Sequence, residues 1–203
     1  MTDTATASAL IDSAEGLFAS DGFERASLRA VMREAGTDPG AVHYHFGGRE
    51  GLAIAVLDRI LVPLNDRRLE LLEVLESRDQ TPQPAALIEA LVRPDVEAAY
   101  SLHSNGVGRA RLVGAIYLHP AAFVTAQVEQ RFAPVAMRFH PHLIRAIPHV
   151  SPDMLGWRVR WCVFGTVGAV LADPDELLRH EPDELVRRLV HTLTPAITAQ
   201  ETP

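Results

Sequence analysis

An all-α fold is predicted for this 203-residue chain by three observations. Apolar residues recur at three- and four-residue spacing through every long segment, the period of a helix with one buried face. No segment shows the apolar–polar alternation that marks a half-buried strand. The helix-sized segments are separated by caps and breakers, chiefly Gly, Pro, Ser and Asp. At 47% hydrophobic residues, the chain has ample material for a packed core.

In order along the chain, Leu10, Ile11, Ala14, Leu17 and Phe18 predict a first helix over 6–20, closed by Asp21-Gly22, with Phe23 continuing into the core. Ser27 is a good N-cap for a second helix, whose stripe Leu28, Val31, Met32 and Ala35 ends at Gly36. Asp38 as cap and Pro39 at the first helical position predict a third helix, only about one and a half turns long before Gly47-Gly48 breaks it. So short a helix is not stable alone, so neighbours must hold it and display His43, Tyr44 and His45 from a rigid mount. Phe46, the only large apolar residue between Tyr44 and Arg49, is expected to close the small core. A long helix then runs through Leu52, Ala53, Val56, Leu57, Ile60 and Leu64 to about Ser77, with Pro63 expected to kink or interrupt it. After a loop over 80–84, further helices are expected over 85–100, broken near Pro94; over about 108–118; over 121–147, interrupted at Pro134 and Pro141; over 152–172, capped by Ser151; and over about 182–193, stopped by Pro195.

A helix, a tight turn containing Gly and a short second helix make the helix-turn-helix pattern, whose second helix enters the DNA major groove. The run Leu17-Phe18, Gly22-Phe23, Ser27-Leu28-Arg29, Ala35-Gly36, Val42-His43-Tyr44-His45-Phe46 and Arg49-Glu50-Gly51-Leu52 closely resembles the N-terminal domain of the tetracycline-repressor (TetR) family of bacterial regulators, over roughly residues 8–60. It departs from the usual pattern at His43, where Tyr is commoner, and at Gly47-Gly48. The resemblance implies a three-helix DNA-binding domain over 1–50, a linking helix from about 50, and an all-α effector-binding and dimerisation domain over 51–203. It also implies a transcriptional regulator without a cofactor, a repressor released from a palindromic operator by a small-molecule effector. Carried over by position, Ser27, Tyr44, His45 and Arg49 are expected at phosphates, and Arg29, Pro39, Gly40, Ala41 and His43 near base edges. The side-chain chemistry agrees: hydroxyl, phenol and guanidinium groups position a protein on the backbone, and Arg29 is suited to bidentate reading of guanine.

The charge balance qualifies this reading. The chain carries a net charge of −7 and contains no Lys, and residues 1–60 hold five Arg against nine Asp or Glu. Non-specific DNA affinity grows with the phosphates neutralised, so weak binding is expected unless the cations share one face. An alternative from another class, a helical enzyme or small-molecule carrier with a vestigial helix-turn-helix, follows from the same acidity.

Signals for other functions are thin. There is no phosphate-binding loop, dinucleotide fingerprint or HExxH pair, and Gly106-Val107-Gly108 reads as a loop. His140-Pro141-His142, with His103, His119 and His149, lacks regular ligand spacing because Pro141 disrupts the helix, so no metal is expected. Cys162 alone excludes an internal disulfide and reads as inert packing. No leader pattern opens the chain, and the longest apolar run, 161–172, is far below the ~20 residues of a membrane span, so a cytoplasmic protein with no membrane partner is expected.

Two sites are expected in the second domain. The segment holding Trp161, Phe164, Gly165, Gly168 and Ala172 is apolar on nearly every side and so must be covered on nearly every side. With Val186, Leu189, Val190 and Leu193 of the last helix, it is expected to form a twofold homodimer interface. An effector pocket is expected within 87–160, drawn from His103, Arg109, Tyr117, His119, Phe123, Met137, Phe139 and Trp157, for a moderately hydrophobic ligand with an acidic or hydrogen-bonding group.

Overall fold

The structure is a computed structural model that describes residues 3–78, 80–100, 106–118, 122–173, 175 and 179–200. Among these, helices account for all the regular structure: α1 (Asp3–Asp21), α2 (Leu28–Glu34), α3 (Ala41–Phe46), α4 (Arg49–Glu76), α5 (Pro84–Tyr100), α6 (Gly106–Leu118), α7 (Ala122–Ala146), α8 (Pro152–Arg158), a π-helical segment (Val159–Phe164), α9 (Gly165–Ala172) and α10 (Pro182–Thr198).

The first three helices close around Leu10, Ala14, Phe18, Phe23, Val31 and Val42, all buried. Ser27 caps α2 as expected, its Oγ accepting from Ala30 N at 3.3 Å. Gly36, at φ +63°, ends α2 in a Schellman turn: its N–H donates to Arg33 O, and the next N–H, of Thr37, to Met32 O. The expected start of α3 needs correction. Gly40, not Asp38, is the N-cap, and Pro39 lies outside the helix in a turn closed by Ala41 N donating to Asp38 O at 3.0 Å. Asp38 therefore serves through its carbonyl, and its side chain stays exposed. Phe46 is half-buried against the core.

The other correction concerns prolines expected to break, interrupt or stop helices: Pro94, Pro134, Pro141 and Pro195 all lie inside continuous helices, and Pro63 lies inside its long helix as expected, without interrupting it. Each removes one backbone donor, a loss that the packing of flanking turns can outweigh. Likewise Gly106-Val107-Gly108 is the first turn of α6 rather than a loop. The 152–172 segment is not one regular α-helix: a π-helical stretch inserts wider turns at its centre.

α4 joins the two halves. It packs on α1 and α3 at its start and on α5 and α7 beyond. Arg59 bridges back to Asp12 Oδ1 at 2.5 Å and Glu15 Oε1 at 2.7 Å on α1, two of the acidic residues that gave the first sixty residues their negative balance. A second link comes from α6, which packs against α1, and a third from Phe123 of α7, whose ring meets Phe23 edge-on at 6.4 Å.

Candidate nucleic-acid interface and ligand cavity

Seven residues of the first three helices form the candidate DNA surface. Arg29 on α2 and Pro39, Gly40 and His43 around α3 are exposed, Ala41 is half-buried, and Tyr44 stands out with 78% of its surface accessible. Ser27 is exposed as well, although its hydroxyl already serves as the α2 cap. Arg33 is exposed on α2, one turn beyond Arg29, which places two cations on one helix. The remaining two expected contacts turn inward. His45 sits with Nδ1 at 3.4 Å from Asp3 Oδ1 at the start of α1, under the ring of Tyr44. Arg49 Nη1 donates to Ala26 O at 2.6 Å and Phe23 O at 3.3 Å, so its guanidinium braces the loop leading into α2.

The mount of α3 rests on glycines. Gly47 (φ +71°) and Gly48 (φ +126°) adopt backbone conformations that other residues rarely enter, and they turn the chain sharply from α3 into α4. At Gly51 the constraint is space: a Cβ built there would lie 1.8 Å from the Phe46 carbonyl oxygen. The start of α4 is thus pressed against the end of α3. The sequence pattern includes Gly51 but does not reveal this approach.

In the second half, α5, α6, α7, α8, the π segment and α9 enclose a cavity of about 550 Å³. Of the expected pocket residues, Tyr117 and Phe139 line it. Phe123 packs toward Phe23 instead, and Met137 (77% exposed) and Trp157 (58%) face outward. His103 and His119 lie outside the described residues, as do the side chains of Arg109, Cys162 and Ala172. Three residues expected at a dimer interface, Trp161, Phe164 and Gly165, are cavity wall. Most of the other expected interface residues that are described are buried within the chain. Gly168 is buried, and Val186, Leu189 and Leu193 are core because α10 spends its apolar stripe against α5; Val190 is half-buried. The open apolar surface in this region is Met154, Trp157 and Trp161, one stripe at three- and four-residue spacing, of which Trp161 belongs to the expected interface and also borders the cavity.

Behind the cavity wall lies a buried polar cluster of which the sequence reading singled out only Tyr117. Arg68 of α4 is fully buried; its Nη2 meets Asp95 Oδ2 at 2.5 Å, its Nη1 donates to Asn65 Oδ1 at 2.8 Å and its Nε to Leu91 O at 3.0 Å. Tyr117 donates from its hydroxyl to Asp95 Oδ1 at 3.1 Å. Burial raises the Asp95 carboxyl above its ordinary range, against the opposing pull of Arg68 and of the Tyr117 hydroxyl. Burial would lower the Arg68 guanidinium, but Asp95 and the Tyr117 hydroxyl together outweigh it and hold it raised. The Tyr117 hydroxyl is pushed up first by burial and then by Asp95, so it stays a donor. Arg68 also sits over the rings of Phe132 and Phe164, 5.7 and 5.8 Å from their centroids, and both rings line the cavity. Asn65 extends the cluster to α7 by donating to Arg131 O at 2.9 Å, and Arg131 in turn bonds Asp58 of α4. The signal was present in the pattern: Arg68 continues the buried stripe Leu61, Leu64, Leu72 and Leu75.

Comparison with known proteins agrees with this geometry. Residues 10–56 match the family described as bacterial regulatory proteins, tetR family, and residues 89–199 match the tetracyclin repressor-like C-terminal domain. The A-factor receptor protein of Streptomyces griseus is 26% identical over 101 residues, which are 50% of this chain and 31% of that protein, so the chain matches about a third of the relative's length. Among solved structures, the FadR regulator of Bacillus subtilis in complex with stearoyl-CoA superposes with a TM-score of 0.65 at 12% identity, covering 93% of this chain and 98% of that one. A transcriptional regulator of Rhodococcus sp. Rha1 gives 0.64 at 20% identity, covering 97% and 94%. With its helix-turn-helix and its C-terminal helical domain both matched, the chain belongs to the TetR family of bacterial regulatory proteins.

Proposed function

We propose that the protein is a transcriptional repressor that binds a near-palindromic operator as a homodimer and is released when a small molecule fills the cavity. One observation carries the coupling: the rings walling the cavity rest on Arg68 of α4, and the first turn of the same helix abuts the end of α3 at Gly51. A ligand that prefers one packing of these rings biases the position of α4, and with it the separation of two recognition helices across the dimer. The Bacillus FadR complex with stearoyl-CoA supports a fold able to hold such a ligand, and the name of the A-factor receptor supports a ligand-responsive relative. Within this reading, Ser27, Arg29, Pro39, Gly40, Ala41, His43 and Tyr44 face the operator, while His45 and Arg49 position α3 and the loop before α2.

Selecting bound fragments from a random DNA pool, then measuring affinity against salt, tests the operator reading; a vestigial helix-turn-helix gives no salt-dependent binding. Tyr44→Ala should weaken binding to every sequence alike, whereas Arg29→Ala should relax preference at one base pair by ~1–3 kcal/mol. If both variants bind the selected DNA like wild type, the contact assignment fails. For the dimer, the exposed Met154–Trp157–Trp161 stripe is the surface that a second copy would cover. Because Trp157 is open in the single chain, Trp157→Glu should yield a folded monomer that has lost operator affinity. Light scattering that finds the wild-type protein monomeric contradicts the proposal.

A further inference from the structure

We propose that the cavity takes a single-chain anionic amphiphile, with its alkyl or acyl chain in the lumen and its acidic head at the mouth against Arg160, from which it displaces Glu129. This rests on the effector reading above and specifies its ligand.

Polar groups are distributed unevenly around the cavity. Its interior walls are Leu91, Ile116, Phe139, Leu143 and Leu155, all buried. Two uncharged hydroxyls stand in the wall among the described residues, those of Tyr117 and Thr125, and the Tyr117 hydroxyl is already committed to Asp95 and Arg68. Among the described residues, no buried side-chain nitrogen or oxygen lacks a partner. A polar atom carried into the lumen would lose its water and find few partners there, an unfavourable exchange. Phe164 packs on Phe132 at 4.7 Å and on Tyr117 at 5.2 Å, and Arg68 lies over Phe132 and Phe164, so these rings are already engaged and most of the remaining wall is aliphatic.

Charge gathers at the rim instead. Glu129, His140 and Arg160 are all exposed there, and Arg160 Nη2 holds Glu129 Oε1 at 2.7 Å. A half-exposed ion pair of this kind contributes little, so replacing one carboxylate by another costs little. The incoming acid gains the guanidinium, while Glu129 swings into water. A cationic head would have to compete with Arg160 for Glu129, and a neutral head would exchange a charged partner for a weaker one.

The test is calorimetric titration of the full chain with octanoate, decanoate and dodecanoate below their micelle concentrations. Alongside them run dodecanol, dodecyltrimethylammonium and dodecanoyl-CoA, the last separating a free acid from a thioester with a remote anionic head. Each added methylene should tighten Kd by about fourfold until the cavity is full. Dodecanoate or dodecanoyl-CoA should bind at least about tenfold tighter than dodecanol, as expected for a charge-assisted contact. Arg160→Gln, at an exposed position, should abolish that preference and keep the chain-length slope; Glu129→Gln should tighten the acid. A missing slope, equal binding of acid and alcohol, or an Arg160→Gln variant indistinguishable from wild type overturns the proposal. If a rigid polycyclic compound releases DNA and no amphiphile binds, this ligand class falls while the effector reading stands. If the acids bind with the expected slope and leave operator affinity unchanged, the effector reading falls and the ligand assignment stands.

Discussion

Gly51→Ala should abolish operator binding while leaving most of the helical signal intact. The added Cβ would fall 1.8 Å from the Phe46 carbonyl oxygen, a backbone atom with no rotamer by which to escape. Either the end of α3 or the start of α4 must move by an ångström or more. α3 is only six residues long and holds its place through neighbours rather than through its own hydrogen bonds. Because misplacing it disturbs the phosphate and base contacts together, affinity should fall about a hundredfold or more, with the DNA-binding half melting earlier. Electrophoretic shift assays alongside circular dichroism measure both. A Gly51→Ala protein with wild-type affinity and melting would show that the two helices are not packed this closely.

Arg68→Met should be the most destabilising single change among the buried positions, because it strands the Asp95 carboxylate without a counter-ion. Breaking a buried pair from one side costs about 3–5 kcal/mol, which for a chain of this size lowers Tm by about 10 °C. Replacing both partners, Arg68→Met with Asp95→Leu, should restore most of the loss, since two apolar side chains need no partners. The double variant then separates folding from signalling: it should bind operator yet respond poorly to any cavity ligand, because the guanidinium that ties Phe132, Phe164 and Tyr117 to α4 is gone. Denaturation curves for the two single variants and the double, followed by ligand titrations on the DNA-bound double variant, decide it. Equal stability of Arg68→Met and wild type would mean that the pair is not shielded from water.

What the sequence made legible was whatever is encoded locally. The Ser27 cap, the Gly36 stop and the Gly47-Gly48 turn depend on a few adjacent residues, and each lies where its chemistry placed it. The prolines misled because their cost is local while the packing that outweighs it is not. Periodicity identified the apolar stripes of α10 and of the 152–172 segment but could not say what covers them. In α10 the cover is α5, and in the other the π segment redistributes Trp157, Trp161 and Phe164 between surface and cavity. Tyr117 was legible as a pocket residue, but its link to Arg68 joins positions 49 residues apart and has no short-range signature.

The cavity floor and its rim differ in how freely they can change over evolutionary time. On the proposed coupling, a substitution at Phe132, Phe164 or Tyr117 alters the bed on which Arg68 lies and should change resting DNA affinity together with ligand preference. Selection must then find two compensating changes at once. Glu129, His140 and Arg160 touch solvent, and on the proposed reading they should be exchangeable one at a time without disturbing DNA binding in the absence of ligand. Descendants of this regulator that acquire new inducers should therefore diverge at the rim first, keeping an inherited floor while the head group they read is rewritten.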